Sequence, residues 1–416
     1  MLNFIKDIKN NNFFRFWFAQ LISQFGDRVH QMALVGLIAA RAPGSSFELA
    51  KLLAFTIIPV FVVGPVAGVL VDRMERRTVM FVCDFIRGFI VLLIAWWFMN
   101  MHSMIPLYIA VFLIFTLSRF HVPAKMSLIP EIVDTKNLHI ANSLVTVTGM
   151  LAFVAGAVLG GLIVEHSGSR GGFLWDAATY FISGLLVFSM TSVKKLRINP
   201  VDVKESAYEM VNRQLSVFDE IKQGIRYIGQ EKKLCYIFGI MTVLFAAVGA
   251  VYVVIIVFIQ QAFGSITKDL GFLAVPLGAG LLMGSLAFAK WGNKISKFDS
   301  MFLSLILGGI MVGVFALCVE GTHSRLLAMG LALMMGIVVG PAVIAANTVV
   351  HEVCVSAMSG KVFAALEFVM HLAFLVAMLG CSLLAEHMAR MWILVGVGVI
   401  FLSIGLFGLI KFRRAS

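Results

Sequence analysis

Charged side chains are scarce in this sequence: Asp, Glu, Lys and Arg make up 13% of its 416 residues, while 60% are hydrophobic. That balance excludes an ordinary soluble globular chain, which carries about 25% charged residues. Cysteine is sparse too. Cys83, Cys235, Cys318, Cys354 and Cys381 fall in apolar segments without CxxC spacing, so neither a disulfide framework nor a zinc site is suggested, and they read as small packing residues. Catalytic signatures are also missing. His351-Glu352 lacks the second histidine of a zinc-protease helix, Ser359-Gly360-Lys361-Val362 lacks the glycine and hydroxyl of a phosphate loop, and no G-x-S-x-G elbow occurs. ATP-driven transport and intramembrane hydrolysis therefore lack support; no enzyme, cofactor or metal is expected. The N-terminus shows no separable cleavage pattern, so the first helix is expected to act as its own insertion signal.

What is abundant is long apolar runs, each near the ~20 residues that a helix needs to cross ~30 Å of hydrocarbon. They predict an all-α integral membrane fold with twelve transmembrane helices, at 14–40, 48–71, 78–99, 104–129, 141–165, 172–191, 234–261, 269–289, 299–319, 325–349, 361–385 and 391–411. The longest polar stretch, from Thr191 to about Lys233, separates two six-helix bundles, 1–192 and 234–416, with a cytoplasmic linker at 193–233. Within the linker, Val217, Ile221, Ile225, Tyr227 and Ile228 recur near helical spacing among Asp219, Glu220, Lys222 and Arg226. This predicts an amphipathic helix on the inner membrane surface, a plain linker being the alternative. Pro123-Ala124 in the fourth helix is echoed by Pro341-Ala342 in the tenth, a faint internal repeat of the kind transporters carry.

The formal net charge of +11 invites a nucleic-acid reading. The positions of the basic residues explain it otherwise. With the N-terminus inside, the 33 Lys and Arg residues divide into 24 on the cytoplasmic side, 6 outside and 3 within helices. The positive-inside rule then places both termini in the cytoplasm and supports a multi-pass protein of the cell (inner) membrane.

Ionisable residues inside the spans are costly in hydrocarbon and persist beside a partner or a wet cavity. Asp27 lies at the centre of the first span, near the midplane where alternating-access transporters place their sites. Burial disfavours a charged carboxylate and a paired arginine opposes that effect, and Asp27 is the leading candidate for loading and releasing protons. Arg28 points about a quarter-turn away and need not be its partner. Asp84 and Arg87, three apart, share a face of the third helix and suggest a structural ion pair. Glu367 and His371, four apart in the eleventh, suggest either a proton relay or a lone structural hydrogen bond.

The most specific local pattern is Gly68-Val-Leu-Val-Asp72-Arg73-Met-Glu75-Arg76-Arg77, between the second and third helices. It resembles the loop signature of the major facilitator superfamily, G-x-x-x-D-R/K-x-G-R/K-R/K, with Glu75 in place of the glycine, so the tight turn there is expected to be built differently. Gly68 is expected to permit close helix approach, Asp72 to meet the positive end of a helix, and Arg73, Arg76 and Arg77 to bridge to carboxylates. In that family the cluster latches the two bundles in one state and releases them in the other. Gly26-Asp27, Asp84, Arg87, Pro123-Ala124, Ile129-Pro130-Glu131, Asn142-Ser143-Leu144 and Asp176 extend the resemblance to the bacterial drug and macrolide efflux branch. The enterobactin-exporter and lysophospholipid-transporter branches are near relatives. Arg119 stands where the superfamily often has an arginine linked to proton coupling or anionic substrate; the alternative is that it neutralises Asp84 or Glu131. Gly156, Gly160 and Gly161 resemble the superfamily's glycine-rich antiporter motif without its usual proline, and physically they form a small-residue packing face.

The leading functional expectation is proton-coupled efflux of a small, moderately hydrophobic compound, by rocking of the bundles about a midplane site that includes Asp27, Arg28, Arg119, Glu367 and His371. Lysophospholipid or another lipid-like substrate is the runner-up. A siderophore exporter, with Arg28, Arg87 and Arg119 turned to an acidic ligand, is third, and a non-transporting receptor or structural protein is the reading from another class. Expected partners are the substrate, protons and membrane lipids, with no nucleic acid and a monomeric chain.

Overall fold

The structure is a computed structural model and describes residues 11–191, 219, 221–292, 296–353 and 356–415. Lys6, Lys9, Lys294, Cys354, Glu220 and the linker stretch 193–218, with Val217, lie outside the described residues. Every regular element among the described residues is helical. In hydrocarbon a backbone must satisfy its polar groups internally, and these apolar runs do so as helices. We number the spans α1 (Asn11–Arg41), α2 (Ser46–Val62, resumed as Gly64–Asp72), α3 (Arg76–Trp96) and α4 (Ile105–Ile132). Next, α5 and α6 are the arms of Leu138–Phe188 before and after Gly168. The rest are α7 (Lys232–Phe263), α8 (Lys268–Trp291), α9 (Lys297–Thr322), α10 (Arg325–Val353), α11 (Ser356–Leu384) and α12 (Arg390–Ala415).

Two breaks have local causes. Gly168 takes φ 70° and ψ 175°, a backbone conformation that suits glycine, and there the chain turns from α5 into α6. The predicted second span is continuous over 48–71, but the helix breaks at Val63, with Pro59 inside its first piece and a proline in the first turn of the second. Proline lacks the N–H that the ladder needs, which accounts for the interruption.

Among the described residues nine helices are long and apolar enough to cross a membrane, or ten with the two pieces of α2 taken as one span. The Leu138–Phe188 helix counts once among these, and its two arms on either side of Gly168 are α5 and α6. α1 is long enough but polar, and the polar residues Gln20, Ser23 and His30 are each 3% exposed or less. The most polar span is therefore an enclosed one.

The chain divides into two compact units: the described residues of Met1–Leu37 and Leu52–Val217, and those of Ile38–Lys51 and Phe218–Ser416. In the first, α1 is gripped by glycine-bearing faces. A Cβ on Gly156 would stand 2.7 Å from Arg28 Cβ, one on Gly160 3.0 Å from Val29 Cα, and one on Gly172 2.9 Å from Ala33 Cβ. Gly161 is buried on the same arm. Lipid tails are as apolar as side chains, so close packing of this kind is what holds helices together in a bilayer. Phe13, Phe16, Met80, Leu128 and Val187 form a core where α1 begins.

In the second unit, α8 and α10 meet glycine to glycine, a Cβ on Gly280 reaching 3.0 Å from Gly336 Cα. The α1–α2 hairpin belongs to this unit. Glu386 Oε1 accepts from Ser45 Oγ and the Phe47 amide, both at 3.0 Å. Arg390 donates to Ser46 Oγ at 3.1 Å, to Gln261 Oε1 at 3.0 Å and to the Gly44 carbonyl. Residues 221–230 are helical, and their buried face is Ile221, Gly224 and Ile228. Gly224 packs on the Lys361 carbonyl at the start of α11, and Lys361 Nζ donates to Gln223 Oε1 at 2.7 Å. Ile225, expected on the apolar face, is 44% exposed.

Candidate functional site

One face of α6 organises the polar groups of the first unit. Asp176, Tyr180 and Ser183 follow at spacings of four and three, so they share a side of the helix. Each meets a different neighbour. Asp176 Oδ2 lies 2.8 Å from His30 Nδ1 on α1, and the two side chains are 0% and 2% exposed. One turn along, the Tyr180 hydroxyl donates to Asp27 Oδ1 at 2.6 Å. Beyond it, Ser183 Oγ donates to Asp84 Oδ2 at 2.7 Å.

Gly26 makes this approach sterically possible. A Cβ there would stand 2.8 Å from Thr179 Cβ and 2.9 Å from Asp176 Oδ1, so α6 reaches Asp27 and His30 only because position 26 has no side chain.

Asp84 and Arg87 form a buried ion pair on α3. Arg87 also donates to Ser118 Oγ at 3.4 Å and places its guanidinium carbon 4.6 Å from the Tyr180 ring centroid, a cation–π contact. His121 Nε2 on α4 lies 3.4 Å from Asp84 Oδ1. The Asp84 carboxylate is thus surrounded by Arg87, His121 and Ser183, the number of partners that a charge buried at 0% exposure requires. Asp27 differs: it is half-buried, and Lys125 and Arg87 are near enough to act on it electrostatically.

The other predicted site residues go elsewhere. Arg28 donates to Gln31 Oε1 at 2.8 Å and sits 4.2 Å over the Phe153 ring, away from Asp27's partner. Arg119 is half-buried on α4 beside Ser118. Glu131 pairs with Arg76 at 2.7 Å. Glu367 and His371 stand on α11 in the second unit, where the His371 Nδ1–H donates to the Glu367 backbone oxygen at 2.8 Å.

The α2–α3 loop anchors the end of α6. Arg77 donates to the carbonyls of Val187, at 3.2 Å, and Phe188, while Arg15 of α1 donates to that of Ser189. Cations at these carbonyls complement the negative end of the helix. The loop pattern predicts bridges to carboxylates for Arg73, Arg76 and Arg77; Arg76 makes one with Glu131, whereas Arg77 meets backbone carbonyls. Asp72 and Arg73 are exposed. Glu75 sits at φ −67°, a conformation open to any residue, and its Oε2 accepts from Thr78 Oγ1 at 2.7 Å, so the turn needs no glycine. At Gly68, among the described residues, an added Cβ would meet nothing within 4 Å.

His30, Ser118, His121, Tyr180 and Ser183 were not singled out from the sequence. Single polar residues in apolar spans look like ordinary core. For Tyr180 and Ser183 the signal that could have found them is the polar stripe Asp176, Thr179, Tyr180 and Ser183 on an otherwise apolar α6.

The sequence matches the family model described as Major Facilitator Superfamily over residues 16–378. It is 25% identical over 412 residues to the uncharacterized MFS-type transporter YfiS of Bacillus subtilis, covering 96% of this chain and 92% of that protein. Macrolide efflux protein A of Streptococcus pyogenes is 21% identical over 322 residues, 73% of each chain. Among solved structures, a bacterial homologue of the iron transporter ferroportin in an inward-facing state superposes with a TM-score of 0.74 at 13% identity, covering 95% of this chain and 98% of that one. That likeness concerns the fold.

Proposed function

The chain belongs to the major facilitator superfamily, and from this membership we propose that it is a proton-coupled exporter of a small, moderately hydrophobic compound, working by alternating access in the cell membrane with both termini in the cytoplasm. That it is a membrane transporter of this type follows from the family. Export is supported by its similarity to a relative named for macrolide efflux. One observation carries the proton coupling. Asp27 is a half-buried carboxylate at the middle of α1, held by the Tyr180 hydroxyl at 2.6 Å, while Asp84 and Asp176 nearby are sealed against Arg87 and His30. A half-buried carboxylate beside two sealed ones is the member of this cluster suited to exchange protons.

In this mechanism a proton binds Asp27 on one side and leaves on the other, and its occupancy biases which side is open. Arg76, bound to Glu131, and Arg77, bound to the end of α6, hold the α2–α3 loop as the cytoplasmic latch. Because Arg87 is committed to Asp84 inside the first unit, the siderophore reading, which needs that arginine at an acidic ligand, is less favoured.

The test uses everted vesicles containing the purified protein. Addition of cationic or macrolide-like drugs should collapse an imposed proton gradient, and Asp27→Asn should abolish that response while preserving membrane insertion. Unchanged proton movement in the variant would sink the Asp27 assignment. If no drug moves protons but labelled lysophospholipid crosses the bilayer, the lipid-like substrate replaces the drug.

A further inference from the structure

Behind Asp27 lies a second acid that the mechanism above does not use. Asp176 is fully buried, and the cationic group in contact with it is an imidazole, His30, itself 2% exposed. The approach is 2.8 Å, yet it lacks the alignment of a hydrogen bond, and the remaining polar atoms, His30 Nε2 and Asp176 Oδ1, have no hydrogen-bond partner among the described residues. The walls are apolar: the Phe173 ring stands edge-on to the imidazole at 5.4 Å between centroids, and Phe115 lies at 6.5 Å. Compare Asp84, which has the permanently charged Arg87, a histidine and a hydroxyl.

This contrast fixes the proton count. With neutral imidazole and an ionised carboxylate, the pair carries one net negative charge in a sealed site, which is unfavourable without a further partner. One added proton makes it neutral, whether that proton sits on the nitrogen, as imidazolium beside carboxylate, or on the oxygen. Among the described residues, the charged and titratable groups that act on the pair are Asp27 on α1, Tyr180 on α6 and Arg87 on α3. Asp27 and His30 are three apart on α1, and Asp176 and Tyr180 four apart on α6, so the pair and the Asp27–Tyr180 contact are adjacent rungs between the same two helices.

We infer that His30 and Asp176 together form a second proton-binding site, sealed behind Asp27 and holding one dissociable proton. The inference rests on the proton-coupled reading for its role in transport. On transfer, the N–H or O–H bond of the pair breaks, an O–H bond forms on the Asp27 carboxylate, and the pair is left with one negative charge until a proton returns. The site thereby makes the first unit a two-proton device, with a half-buried group that exchanges and a sealed one that stores.

Infrared difference spectra of the purified full-length protein between acid and alkaline pH test this without a substrate. The histidine-ring and carboxyl signals of the pair should change at one shared midpoint, separate from that of Asp27. Asp176→Asn should remove one carboxyl signal and displace a histidine signal. His30→Gln, a milder change that serves if the first variant is not recovered folded, should remove the ring signal and displace the carboxyl one. Asp27→Asn should leave the shared titration in place. Spectra of His30→Gln that superimpose on those of the unmodified protein overturn the inference. If Asp27→Asn changes no signal while His30→Gln does, the sealed site stands and the Asp27 assignment fails.

Discussion

The hydroxyl of Tyr180 lies 2.6 Å from Asp27 Oδ1, and 153 residues of chain separate the two. The contact ties α6 to α1 at the one acidic residue of the cluster that is only half-buried, so Tyr180 acts on Asp27 by positioning it.

Tyr180→Phe removes that hydroxyl and little else, since the ring still fills its place and can still face Arg87. A hydrogen bond to a charged group contributes about 1.5–3 kcal/mol, so thermal unfolding in detergent should show a loss of that order. Transport should keep its substrate affinity and change its pH profile. An unchanged profile together with unchanged stability would show that the hydroxyl does not hold Asp27.

Arg76 and Glu131 join the α2–α3 loop to the end of α4, with side chains 18% and 30% exposed. Partial solvation limits the pair to about 1 kcal/mol of stability or less. Its effect should instead appear in transport rate. Arg76→Ala and Glu131→Ala are each expected to slow the cycle, and the double variant should be no slower than the worse single one. Fully additive rate losses would mean that the two residues do not work as a pair.

Two helix glycines should respond differently to the same substitution. Gly160→Ala places a methyl 3.0 Å from the Val29 backbone and is expected to cost about 1–3 kcal/mol by overpacking. Gly68→Ala meets nothing within 4 Å among the described residues and should shift stability by less than about 0.5 kcal/mol. Melting curves of the two variants in one detergent decide the matter; equal shifts would contradict the difference in packing at the two glycines.

Much of the candidate site was legible in pieces. Asp84 and Arg87 are three apart on one helix, so their pairing follows from helical geometry alone. The link between Arg76 and Glu131 was not, because its members are 55 positions apart and only the return of α4 beside α3 joins them. The same holds for His30 and Asp176. A histidine in one apolar span and an aspartate in another give no hint of each other until two helices cross, and they cross at this depth because Gly26 leaves room for Thr179.

The sequence by itself determined the solvent, the placing of the apolar spans and the identity of the family, because hydrophobic run length and the loop pattern from Gly68 to Arg77 are local properties that chain order preserves. Tertiary structure alone decided which carboxylates are sealed and which stays half-open, since burial and pairing depend on which helices touch.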